Sequence, residues 1–188
     1  MTRIVRAGDL IGMPVVTLDK GRIVGEVRDV LFDPRQSTFV GFTLRGRGLL
    51  SSPLIGYMPG PAISSIGRDA VMLESESLIE RGRDAIRQQI ADHREVPGSE
   101  VVTESGAELG SINDIVLEIG LADVVVVVGY CVERSDGREL ILPAPDTKID
   151  WDEALVLPDG FETRSAEGLV GFSRVLEQAR ESRSGVGL

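Results

Sequence analysis

The 188-residue chain holds one cysteine, Cys131, and one histidine, His93. A lone thiol cannot close an internal disulfide, and a single imidazole with no Cys or second His beside it does not complete a zinc or iron ligand set. Aromatic residues make up 4% of the chain, so the core must be built from Val, Ile and Leu, which favour strands. No stretch approaches the roughly 18 consecutive apolar residues that cross a bilayer as a helix. The opening MTRIVRAGDL also lacks an apolar run of signal-peptide length, and a cytoplasmic location is the expectation. Catalytic phrases are missing too. There is no G-x-S-x-G elbow, and Gly46 and Gly48 in RGRG do not follow the G-x-x-x-x-G-K-[ST] phosphate loop. Neither an enzyme nor a cofactor is expected.

What is present is a composition of 42% hydrophobic and 27% charged residues, that of a globular chain with a substantial core. The net charge of −10 is unevenly spread. Residues 1–74 carry nine basic and seven acidic side chains, whereas residues 99–188 carry seven basic and eighteen acidic ones. An acidic second half repels phosphate and argues against direct nucleic-acid contact. It suits a protein partner with a basic surface, self-association as a homodimer, or simple solubility. Arg outnumbers Lys eighteen to two.

One phrase occurs twice. DKGRIVGEVRDVLFD at 19–33 and ESGAELGSINDIVLE at 104–118 align at an offset of 85, pairing Gly21 with Gly106, Gly25 with Gly110 and Asp29 with Asp114. Each is a glycine turn followed by a long strand with an interior glycine, the mark of a bulge or sharp bend. Around the first copy the pattern predicts strands at 14–18, 22–32, 38–45, 54–58 and 70–74. Around the second it predicts strands at 100–103, 108–119, 123–133, 139–143 and 153–157, with Ser135-Asp136-Gly137 as a hairpin turn. The apolar run at 123–133 reads as a strand buried on both faces. Ile79, Ile86 and Ile90 form one stripe of a helix over 75–95, with Ser75 or Ser77 as its N-cap and Pro97-Gly98 as its stop. Leu169, Phe172, Leu176 and Ala179 form the stripe of a second helix from about Ala166 to Arg180. The predicted fold is mainly β: two small tandem barrels at 1–75 and 97–163, a linker helix at 76–96, and a C-terminal helix and tail at 164–188.

These residues resemble the PRC-barrel domain. The features carrying the likeness are the strand, the acidic-Gly turn and G-x-[VI]-x-D-[VI], seen at Gly25–Val30 and Gly110–Ile115, together with the closing phrase from Pro61 to Leu73. The second copy matches more loosely, with Pro145 to Ile149 standing where the first has Pro61 to Ile66. The resemblance implies a docking or assembly module. Members of this kind include the cytoplasmic part of a photosynthetic reaction-centre subunit, a ribosome maturation factor that binds a ribosomal protein, and cell-division adaptors. It carries no shared catalytic set. The expected function is a protein–protein adaptor. The alternatives are an accessory factor in RNA or ribosome metabolism and a small-ligand binder or enzyme with a pocket between the barrels.

Several side chains are weighed as sites. Asp29 and Asp114 read as acceptors for nearby turn backbone rather than as acids or bases. His93 reads as a solvated helix residue, and Cys131 as a small buried core residue with no visible base to activate it. Arg45 and Arg47 could meet an acidic partner or serve as solubility charges at a hairpin tip. Leu49, Leu50, Leu54 and Ile55 either fold back over a barrel end or form a contact patch. Trp151 could plug the second barrel or anchor a partner. Phe172 and Leu176 are a secondary contact stripe, with packing on the second barrel as their simpler fate. The groove between the barrels is a further contact surface.

Overall fold

The computed structural model describes residues 2–33, 38–47, 56–81, 98–120, 124–144 and 154–184. The predicted linker-helix positions 82–96 lie outside the described residues, as do Leu49, Leu50, Leu54, Ile55, His93 and Trp151. The first half contributes β1 (Arg3–Arg6), β2 (Pro14–Thr17), β3 (Ile23–Asp33), β4 (Thr38–Arg45), β5 (Gly56–Pro59), β6 (Ile63–Ile66) and β7 (Val71–Leu73). The second contributes β8 (Glu100–Thr103), β9 (Glu108–Ile119), β10 (Val125–Glu133), β11 (Glu139–Pro143), β12 (Ala154–Leu157) and the helix α1 (Gly168–Ser184).

The repeated phrase is a repeated set of hydrogen bonds. Thr17 N–H donates to Arg22 O and Gly21 N–H to Thr17 O; in the second half Thr103 N–H donates to Ala107 O and Gly106 N–H to Thr103 O. Gly21 and Gly106 have φ of 61° and 83°, the left-handed region that favours glycine, which explains their place in both turns. Beyond the turn, β2 pairs antiparallel with β3 and parallel with β7, while β8 pairs antiparallel with β9 and parallel with β12. Register breaks fall at matching places. One lies between Val27 and Asp29 and another between Leu31 and Phe32, matched by breaks at Ile112/Asp114 and Val116/Leu117. Bulges at these points bend the long strands and curl each half.

Two separate barrels were expected; one hydrogen-bonded sheet of twelve strands is found. Besides the contact made by β1, the halves are joined where β4 and β10 pair at Val126–Thr38. Thr38 precedes Gly41 and Val126 precedes Gly129 by three residues. Gly41 faces Leu31 and Pro59, as Gly129 faces Val116 and Pro143. The two joined residues are thus counterparts, so a local twofold axis passes between them. Val124 and Val126 are exposed at this start of β10, and only from Val127 onward is the strand buried on both faces. One hydrophobic cluster runs through both halves, from Val15, Phe42 and Leu73 to Val101, Tyr130 and Leu157. Phe32 and Tyr130 stack edge to face across the halves at 6.4 Å. A joined sheet and a joined core follow from the same cause: aliphatic half-sheets of this size bury more apolar surface together than apart.

The helix expected from residue 76 does not begin there. Glu76–Leu78 make a single 3₁₀ turn, capped by Ser75, whose hydroxyl accepts from Ser77 N–H. The chain then straightens so that Glu80 bridges to Tyr57.

Candidate docking surface

Two strands are absent from the sequence reading, β6 and β1, and β1 is the one that shapes the surface. It belongs to the first half by connectivity yet pairs only with β9 among the described strands, Arg3 opposite Ile119 through Arg6 opposite Val116. Ile4 packs toward α1 and Val5 toward the main core. The segment after β1 stays on the second half. Ala7 N–H donates to Ile115 O, and Gly8 N–H lies 3.2 Å from both Asp114 carboxylate oxygens. The Arg6 guanidinium is paired with Glu139, which also accepts from Asn113 at 3.1 Å. Arg3 reaches back, donating to Ile66 O and Gly67 O at 3.2 and 2.9 Å. The N-terminal strand therefore sews the two halves together.

The aspartates at matching bulges have found different partners. Asp114 accepts from Gly8 and Ile115 N–H, and Asp29 from the Thr43 hydroxyl at 2.9 Å with Arg28 beside it at 3.2 Å. Both are structural acceptors, although neither bonds the glycine turn that was expected to supply its donor. Burial raises the Asp114 carboxyl above its ordinary range, and the two backbone N–H groups partly counter it. The Cys131 thiol sits behind them, fully buried and pushed up to about 12 by desolvation. Burial of this kind favours the neutral thiol. Among the described residues no three His, Cys, Asp or Glu side chains form a metal-holding group.

Helix α1 lies over the outer face of β11, β10, β9 and β1. Phe172 is fully buried with Val116, Val128, Cys131 and Ile141, which removes it from the accessible surface and gives it the simpler packing role. A Cβ on Gly129 would stand 2.5 Å from the Phe172 ring, so that glycine is what lets the ring seat. Further along, Arg180 is ion-paired with Glu118, a carboxylate only 7% exposed. Leu176, half-buried, lies between these two anchors in the helix and, like Ile4 and Leu169, packs against the Phe172 cluster. Between α1 and the β1/β9 edge opens a groove of about 370 Å³. Its apolar walls are Ile4, Leu169, Val170 and Leu176; its polar ones include Arg3, Glu118, Glu177 and Arg180. Val170, on the rim, is 74% exposed.

Arg45 and Arg47 lie elsewhere, on the first half, exposed and both directed at Glu26 at 3.3 and 2.9 Å. The turn ends of the halves differ in chemistry. Leu18 and Ile23 are about half exposed where their counterparts are Glu104 and Glu108. Sequence reasoning missed Ile4, Val170 and the Glu118–Arg180 pair. RIVR is too short to stand out, Val170 falls off the helix stripe, and an ion pair 62 residues apart leaves no local trace.

The described residues form a curled, mainly β sheet built from a twofold repeat. The PRC-barrel domain family model matches residues 3–78 and again residues 91–162. The chain belongs to the PRC-barrel domain family, with two tandem copies. No curated protein matches it. No helix among the described residues is long and apolar enough to cross a membrane.

Proposed function

We propose that this chain is a non-enzymatic assembly adaptor that docks a protein partner on the groove between α1, β1 and β9. The observation carrying this reading is the exposed Val170 beside the apolar walls of Ile4, Leu169 and Leu176. An apolar side chain held in solvent at the mouth of an apolar groove costs solubility and is typical of contact surfaces. Residues from both copies line the groove, so it exists only in the tandem arrangement. The acidic balance of the second half, with Glu177 on the rim, suits a partner with a basic surface. Arg45 and Arg47 offer a second, oppositely charged surface on the first half.

The test is capture from native-host extract by the tagged full-length chain, compared with Val170→Asp and with Arg45→Glu/Arg47→Glu. Val170→Asp should reduce recovery of the principal partner at least about tenfold, because a charge buried in an interface costs more than 1.4 kcal/mol. Its melting temperature should stay unchanged, because the residue is mostly in solvent. Undiminished capture by Val170→Asp would refute this surface.

A further inference from the structure

The turn ends of the two halves point away from each other. β4 and β10 are antiparallel and pair at Thr38 and Val126, close to the start of each, so they run apart from the seam. β3 lies along β4 with Glu26 opposite Arg45, and β9 lies along β10 with Ser111 opposite Glu133. The turns that precede β3 and β9 therefore stand at opposite ends of the sheet.

The two ends share a backbone and differ in side chains. Val16 pairs with Ile23 and with Met72, as Val102 pairs with Glu108 and with Val156. Leu18 and Glu104 each come two residues later and donate their N–H to Leu73 O and Leu157 O, the last carbonyls of the parallel strands. Side chains two apart in a strand share a face, and Val15, Thr17, Val101 and Thr103 fill the core side. The solvent side thus carries Leu18 and Ile23 at one end, 52% and 50% exposed, and Glu104 and Glu108 at the other. Around the apolar pair stand exposed Lys20 and Arg22, with Asp19 and Glu74. Around the carboxylates stand Asp159, which accepts from Ser105 N–H at 3.1 Å, and the exposed Val156. One strand over, Arg45 at the first end has Glu133 as its counterpart at the second. Among the described residues the side chains of Lys20, Arg22, Glu104 and Glu108 make no ion pair.

We propose that the Glu104–Glu108 end of one copy of this chain docks on the Leu18–Ile23 end of the next, building an open head-to-tail array. The carboxylates meet Lys20 and Arg22, and Val156 meets the exposed apolar pair, so charge and apolar surface are complementary together. Two acidic ends repel each other, which makes the contact heterologous. Because the two ends of one molecule face opposite ways, each contact leaves an outer end free, and growth does not close at two copies. The groove beside Glu118 lies level with Val126 at the seam, at neither end, and stays open along the array.

The test is the mass of the full-length chain in solution against its concentration, by sedimentation velocity and light scattering. The parent mass should rise continuously past two copies. Leu18→Glu/Ile23→Glu, which gives the first end the chemistry of the second, and Glu104→Lys/Glu108→Lys should each weaken self-association at least about tenfold. Neither should move the melting temperature, because all four side chains are in solvent. Mixed in equal amounts the two variants should associate again, since each keeps the end that the other has lost. Val170→Asp should assemble as the parent does. A parent that stays at one copy up to about 1 mM, a plateau at two copies, or a mixture that fails to associate would overturn the proposal. So would loss of assembly in Val170→Asp, because the self-contact would then be the groove.

Discussion

Replacing Phe172 by Ala should undock α1 locally, and the size of the effect can be worked out. The ring is fully buried against Val116, Val128, Cys131 and Ile141, and beneath it lies Gly129, which has no side chain to move into the void. A buried Phe→Ala change at a site that cannot collapse costs about 3–5 kcal/mol. At roughly 2–4 °C per kcal/mol for a chain of this size, the melting temperature should fall by about 6–20 °C. Cys131 supplies a second readout, since it is the sole thiol, buried beneath the same ring and protonated up to about 12. Disulfide-exchange labelling at mildly alkaline pH can reach it only through opening. If α1 is what covers it, the lost 3–5 kcal/mol becomes a rise in labelling rate of roughly two to four orders of magnitude. Val170→Ala, on the exposed face of the same helix, should change neither quantity. A Phe172→Ala protein that melts earlier yet labels at the parent rate would refute the idea that α1 covers Cys131.

Two further perturbations test the sheet and its seam. Gly110 has φ of 139°, and a Cβ there would collide with the Glu133 carbonyl across the β9–β10 ladder. Gly110→Ala should therefore destabilise by at least about 2 kcal/mol in chemical denaturation, whereas Gly137→Ala at an open turn, strained by φ alone, should cost less. The Arg6 guanidinium holds the Glu139 carboxyl below its ordinary 4.5. Because the folded state binds that proton less tightly, the stabilisation is complete above pH 4.5 and disappears as pH falls through the lowered folded value. Glu139→Gln should thus cost about 1 kcal/mol or less at pH 7 and nothing in strong acid, flattening that limb of the stability curve. Asp114 acts in the opposite sense: its raised carboxyl makes ionisation a cost at neutral pH that acid relieves. An acid limb identical in parent and Glu139→Gln would remove the seam from the account.

The repeat, the family and most strands were legible because they rest on local signals. Glycine turns at Gly21 and Gly106, interior glycines in long aliphatic runs, and the Ser135-Asp136-Gly137 hairpin each act within a few residues. The strand at 108–119 and the C-terminal helix follow from the same kind of periodicity. The candidate groove was hardly legible at all. Of its walls Leu169 and Leu176 were placed on the helix stripe and only Leu176 was taken as a contact residue, while Phe172, chosen with it, faces the core.

From the amino-acid order alone follow the duplication, the aliphatic β character, the bends at the glycines and the charge imbalance between halves. Each depends on neighbours in the chain or on totals that folding cannot alter. Only the tertiary structure decided that the copies share one sheet and one core, that Arg3–Arg6 joins the half it does not precede, and that Glu118 meets Arg180. Such pairings depend on which buried edges and charges find one another after collapse, and residues far apart in sequence carry no record of that choice until the chain has folded.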